Sequence, residues 1–284
     1  MFQRCIIADG EHEMSLINTK AKLRMLTKSD IKDVLCKLNV PQDRPIMVHT
    51  SLRRIGQMEG GAQTLLDALI DHCTRDGGLL CVPTHTWGFM EDEITLDLVA
   101  PKSNLGVFPN VALQDARGVR SGHITHSVTV FGARAAEFAK LDETATTMVS
   151  ECCYELYRQD GYILLIGVGQ EKNTFLHCVE EMLDVPNRTA DKPVTLKMRH
   201  PDGRIEEKQI YPLYSQGIED VSEQFGNYEP AFRKHGCIAD GKLGNANVQL
   251  CNARKMKEVM ELIFNRSNHI ELLADHTPID EKYY

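Results

Sequence analysis

Tyr162-Ile163-Leu164-Leu165-Ile166-Gly167-Val168-Gly169-Gln170-Glu171-Lys172-Asn173-Thr174-Phe175-Leu176-His177-Cys178-Val179-Glu180 reads as a strand, a glycine turn and the start of a helix. The apolar run Tyr162 to Val168 has the length of a buried strand. Asn173-Thr174 supplies a cap pair for a helix N-terminus. His177 and Glu180 then share one helical face, one turn apart. A histidine and a carboxylate delivered to the start of a helix suit general-base chemistry. The positive end of the helix dipole lowers an imidazole pKa, while a carboxylate neighbour raises it and fixes one tautomer. Glu180 is the candidate orienter, with Glu181 at i+4 as its rival. The same His-x-x-Glu pair also fits a surface helix whose side chains are merely hydrated.

Outward from this stretch, Ile46 to Thr50 has the pattern of a buried strand. Ala62, Leu65, Leu66, Leu69, Ile70 and Cys73 repeat with helical spacing and stop at Asp76-Gly77-Gly78. Leu79 to Val82 is the next strand, and strand-helix-strand with short joins predicts a βαβ unit. Residues 16 to 40 read as leading helical material. From Thr84 to Ser127 periodicity fades, which marks a functional or mobile segment. Val128 to Phe131 reads as a strand, and Ala135 to Lys140 and Cys152 to Arg158 as helices. Pro193 to Met198 and Ile205 to Ile210 flank Asp202-Gly203, a hairpin signal. A final helix is expected from about Asn247 to Phe264, with Ala253, Met256, Met260 and Ile263 on one face. The pattern fits one α/β domain over residues 1–284 with an added hairpin.

Bulk properties narrow the function. The 284 residues are 42% hydrophobic and 25% charged, ordinary for a soluble globular chain. A net charge of −8 and the lack of a basic stripe argue against nucleic acid. No window reaches the roughly 18 apolar residues of a membrane span, and the N-terminus lacks a signal-peptide core. The nine cysteines are scattered without a C-x-x-C pair, which points to reduced thiols and a cytoplasmic location.

Other motifs are less specific taken singly. Gly167 and Gly169 fail the dinucleotide fingerprint, because Lys172 stands where the third glycine belongs. His49-Thr50-Ser51-Leu52 sits at a strand end, where hydroxyls and free N–H groups suit a diphosphate or simply cap a helix. Arg120-Ser121-Gly122-His123-Ile124-Thr125-His126-Ser127 packs a cation, two imidazoles and three hydroxyls into eight residues. With His49 or His85 it offers metal-ligand types, yet no regular helix aims the imidazoles together. A polar wall for substrate or cofactor is the preferred reading, with no metal.

The order of these motifs resembles the aminoglycoside N3-acetyltransferase family. The resemblance is carried by His49-Thr50-Ser51-Leu52 with Gly56, Gly77-Gly78-Leu79-Leu80 with Pro83-Thr84, and Arg120-Ser121-x-His123 with His126-Ser127-Val128. Leu164 to Gly169, Asn173-Thr174-x-x-His177-x-x-Glu180 and Gly244-Asn245-Ala246 complete it, over about residues 20 to 275. It implies a single three-layer α/β/α domain with a central mixed sheet and an added C-terminal hairpin region. It also implies acetyl-CoA as cosubstrate and a primary amine as acceptor, typically N3 of a 2-deoxystreptamine aminoglycoside in antibiotic resistance. By the same resemblance His177 is the general base, Glu180 its support, and Thr174 lies beside the thioester. His49, Thr50, Ser51 and Leu52, with Arg120, Ser121, His123 and Ser127, would line the CoA channel. Two positions depart from the family pattern: Ile124 replaces a proline, and His85 replaces an aromatic residue at the expected acceptor wall. Within the class, an amino sugar, free or nucleotide-linked, is the other acceptor. A CoA-thioester hydrolase and a non-catalytic CoA-binding protein are the readings from other classes. For a polycationic acceptor, Glu91, Asp92, Glu93 and Asp97 are the candidate carboxylates.

Overall fold

The computed structural model describes residues 25–214, 220–273 and 277–284. In chain order it holds α1 (Lys28–Lys37), β1 (Pro45–Thr50), α2 (Leu52–Ile55), α3 (Ala62–Cys73), β2 (Leu79–Pro83), β3 (Leu96–Asp97), α4 (Val107–Gln114), β4 (Val119–Arg120) and β5 (Val128–Phe131). There follow α5 (Ala135–Ala139), α6 (Glu151–Arg158), β6 (Tyr162–Ile166), α7 (Phe175–Met182), β7 (Val194–Arg199), β8 (Ile205–Ile210), α8 (Glu229–Lys234), β9 (Ile238–Leu243), β10 (Ala246–Asn252) and α9 (Ala253–Arg266).

The central sheet has seven strands in the order β4-β5-β2-β1-β6-β10-β9. Its middle is parallel: β1 pairs with β2 on one side and with β6 on the other. Antiparallel pairs extend both flanks. The strand sequences explain the layering. Ile46, Val48, Leu80, Val82, Leu164 and Ile166 pack into one apolar layer with α1, α3 and α4. The alternate residues Met47, Leu79, Cys81, Ile163 and Leu165 pack into the opposite layer with α5 to α9. Strands buried on both faces need apolar side chains at nearly every position, which is why these runs are continuous. The result is the expected three-layer α/β/α arrangement around a mixed sheet.

The expected added hairpin forms over residues 194–210, and with β3 it makes a separate three-stranded sheet. Ile124, the departure from the family pattern, packs beneath it with Leu96, Met148, Leu196, Met198 and Ile210. The final helix begins at Ala253, not Asn247. Residues 246–252 form β10, because Ala246, Val248 and Leu250 alternate into the core with a period of two. Asn252 then caps α9 by accepting from the Lys255 N–H at 2.9 Å. The segment from Thr84 to Ser127 is less irregular than expected and contains β3, α4 and β4. Of the leading helical material, Lys28–Lys37 is helical and the part before residue 25 lies outside the described residues. No helix among the described residues is long and apolar enough to cross a membrane.

Candidate active site

Because β1, β2 and β6 are parallel, their C-terminal ends share one edge of the sheet. The chain leaves β1 toward β2 on one side and returns to β6 on the other, so a crevice opens at this edge. A cavity of about 600 Å³ lies there, lined by His49 and Thr50 after β1, Pro83 and His85 after β2, and Val168 after β6. Asn173, Thr174 and His177 from the start of α7, with His126 and Arg188, also line it.

The turn from β6 into the site requires glycine. Gly167 has φ +69°, and a Cβ there would meet the Arg54 and Ala246 Cβ atoms at 2.9 and 3.2 Å. Beyond it, the expected cap pair works differently from prediction. Thr174 is the N-cap residue but makes no side-chain capping bond, and it faces the cavity. The Asn173 amide instead donates to Gln170 Oε1 at 2.8 Å, and Gln170 donates to Gln249 Oε1 of β10 at 2.9 Å. This polar strut fixes the start of α7 against the sheet.

His177 is nearly buried, and its ring packs edge-on against Phe225 with centroids 4.8 Å apart. Nδ1 lies 3.5 Å from Glu180 Oε2, close but without a hydrogen bond between them. Glu180 is only 1% exposed, and its other oxygen accepts from Arg188 Nε at 2.6 Å. Arg188 pairs in turn with Glu271. Burial opposes the Arg188 charge, but the two carboxylates outweigh it and hold its pKa above the usual value. The rival Glu181 is turned away: its Oε1 accepts from Tyr154 Oη at 2.7 Å and Thr147 Oγ1 at 3.2 Å.

Burial lowers the pKa of the other imidazoles that line the cavity. Burial lowers His49 to about 4. His85 and His126, whose ring centroids are 4.4 Å apart, sit well below the usual histidine value for the same reason. His49 Nε2 and Thr50 Oγ1 are buried atoms with no protein partner. Among the described residues, no group of three or more His, Cys, Asp or Glu side chains is placed to hold a metal ion.

The remaining residues expected along the CoA channel do not line this cavity. Ser51 precedes α2 without a capping bond, and Leu52 packs against the core. Ser121 is fully buried, donates to Asp142 Oδ2 at 2.5 Å and accepts from the Val128 N–H at 2.9 Å. His123 Nδ1 accepts the Thr125 and His126 N–H groups at 3.2 and 3.0 Å, and its Nε2 meets the Thr147 carbonyl at 3.0 Å. Arg120 donates to Ser127 Oγ at 3.0 Å and to the Thr84 and Lys102 carbonyls at 2.9 and 3.1 Å. Burial lowers Arg120 to about 10. Ser127 donates to the Thr84 carbonyl at 2.8 Å. These side chains tie together the loops that carry His85 and His126.

The family model for aminoglycoside 3-N-acetyltransferases matches residues 47–265. The chain belongs to the aminoglycoside 3-N-acetyltransferase family. It is an acyltransferase by that membership. Aminoglycoside N(3)-acetyltransferase III from Salmonella sp is 27% identical to it, over 81% of this chain and 88% of that protein. The crystal structure of the aminoglycoside acetyltransferase AAC(3)-IVa apoenzyme superposes with TM-score 0.73 at 21% identity, covering 91% of this chain and 96% of the other. The AAC-IIIb structure, a binary complex with CoASH, gives TM-score 0.72 at 20% identity, covering 84% and 96%. In this acetyltransferase-family chain Glu271 falls beyond the matched span. Sequence reasoning missed both Arg188 and Glu271. Asp184 and Asn187, with φ of +51° and +60°, turn the chain after α7 so that Arg188 meets Glu180. The one local signal was a turn-rich Asp184-Val185-Pro186-Asn187 followed by an arginine.

Proposed function

We propose that this chain acetylates a primary amine at the expense of acetyl-CoA, with His177 as general base. The carrying observation is the His177–Glu180 pair at the wall of the cavity, with Thr174 one turn before it. Acetyl-CoA supplies the activated acetyl group. The family membership and the CoASH complex of a relative support that cosubstrate, and the unpartnered His49 Nε2 and Thr50 Oγ1 suit its amide-bearing arm. His177 Nε2 takes the proton from the attacking amine, while the Glu180 carboxylate, 3.5 Å from Nδ1, offsets the imidazolium charge. The Thr174 hydroxyl, which makes no capping bond, offers a donor to the carbonyl oxygen as negative charge develops there. The new C–N bond forms as the C–S bond breaks, and the proton held by His177 is available to the departing thiolate. Ser121, His123, Arg120 and Ser127 serve as scaffold behind this wall.

The reading takes residues 1–284 as one catalytic domain acting on a small molecule. The acceptor named by the family, an aminoglycoside amine, is the first candidate, and an amino sugar is the second. Thiol release from acetyl-CoA, followed with and without amine, separates the possibilities. Release that requires an amine and yields the N-acetyl product supports transfer. Amine-independent release would indicate a hydrolase, and no release at all a binding protein.

A further inference from the structure

The helices α7 and α9 both end in left-handed turns. Asp184 and Asn187 follow α7 with φ of +51° and +60°, and Asn268 and His269 follow α9 with φ of +61° and +60°. The first turn leads to Arg188 and the second to Glu271, and these two side chains form an ion pair. That pair completes the hold on Arg188. A guanidinium carries five N–H donors fixed in one plane. Nε donates to Glu180 Oε1 at 2.6 Å, Nη1 donates to the Asn187 carbonyl at 3.2 Å, and Nη2 faces Glu271. Glu180 in turn lies 3.5 Å from His177 Nδ1. Arg188 also lines the cavity. Without Glu271 its Nη2 would be left with no counter-charge, and the guanidinium could turn from Glu180 toward that open space.

Glu271 is itself a fixed point. Its Oε1 accepts the Leu273 N–H at 2.6 Å. Leu273 is fully buried in the apolar layer that holds Val179 of α7 with Met260 and Ile263 of α9. Ile279 and Tyr284 enter the same layer, and the Tyr284 carbonyl accepts from Lys234 Nζ at 3.0 Å. A carboxylate anchored to the core in this way differs from a surface charge, whose ion pairs hold little. Glu271 stands behind the cavity wall and does not line it. Whatever it does for the reaction, it does through Arg188.

We infer that Glu271 is a positioning residue for acyl transfer: it holds Arg188 against Glu180, and through that carboxylate it sets the place of His177. This rests on the acetyl-transfer reading above and deepens it, by bringing the C-terminal segment into the assembly around the base.

The test follows thiol release by the full chain from acetyl-CoA with kanamycin and with glucosamine, and takes the faster acceptor for the variants. Glu271→Gln keeps the size of the side chain but has one carbonyl oxygen to serve both the Leu273 N–H and Arg188. Its kcat should fall about 10-fold, with the KM for acetyl-CoA and for the amine unchanged. In an Arg188→Met background the same substitution should change kcat by less than about 2-fold, because the guanidinium it holds is gone. Glu271→Met, which brings no unpaired polar group, should show the same loss, with kcat referred to folded protein by urea unfolding. A wild-type kcat in both Glu271 variants, or an equal loss with and without Arg188, overturns the inference while acetyl transfer stands. A raised KM at unchanged kcat overturns it too, by giving Glu271 a binding role. Wild-type release that needs no amine, or no release at all, overturns the transfer reading and this inference together.

Discussion

Arg188 is the residue through which the buried carboxylate is held, and its removal gives a distinctive signature. Glu180 is 1% exposed and draws its counter-charge from Arg188. Without the guanidinium, Glu180 stays buried with no counter-charge and loses the partner that holds it beside His177. Arg188→Met should therefore lower turnover roughly 10- to 100-fold through misplacement of the pair. Arg188→Lys keeps the charge and should recover most of it. Equal losses in the two variants would reduce Arg188 to a packing role. The residue scale also shows what sequence could reach. His177 and Glu180 were legible because their pairing is local, at one helical turn. Arg188 and Glu271 were not, since nothing in a linear pattern says that two turns and a C-terminal segment converge on one carboxylate. For Ser121 the linear pattern carries the residue type but not its partner. The Asp142 carboxylate that occupies it is distant in sequence. Ser121→Ala should cost about 1–3 kcal/mol of stability by leaving Asp142 and the Val128 N–H short of a partner. The acetyl-CoA KM should not change. A raised KM with an unchanged denaturation midpoint would return Ser121 to the CoA channel.

At the scale of elements, the strand-turn-helix unit from Tyr162 to Met182 positions the chemistry, and its hinge is Gly167. The left-handed backbone and the close Arg54 and Ala246 side chains both oppose a Cβ there. Gly167→Ala should destabilise the protein by about 1–3 kcal/mol, read from urea unfolding. An unaltered midpoint would mean the turn relaxes freely. The βαβ core was readable because its strands are apolar throughout and its helix α3 repeats cleanly. The C-terminal boundary was misread for a physical reason. In residues 246–252 a period of two runs directly into the helical period of α9, and Asn252 serves as the last strand residue and the helix cap together. The segment holding β3, α4 and β4 was hard to read because two of its elements are two-residue strands, too short to show alternation.

For the whole molecule, a parallel sheet edge ringed by neutral imidazoles has a cost at low pH. His49 is lowered from 6.5 to about 4, and His85 and His126 are lowered too, all by burial. The unfolded chain binds these protons near pH 6.5, and the native cavity resists them. Their contribution to stability is full above pH 6.5 and is lost as pH falls toward 4. Urea midpoints should decline across that window, and His126→Asn, which has no proton to bind, should flatten the decline. An equally steep decline in the variant would contradict the assignment. The chemistry itself is tested most directly by His177→Ala, assayed with acetyl-CoA and an accepted amine alongside CoA binding by calorimetry. Loss of transfer by roughly 10²–10⁴-fold with CoA affinity nearly unchanged is the expected result. Transfer at the wild-type rate in that variant would contradict His177 as the base.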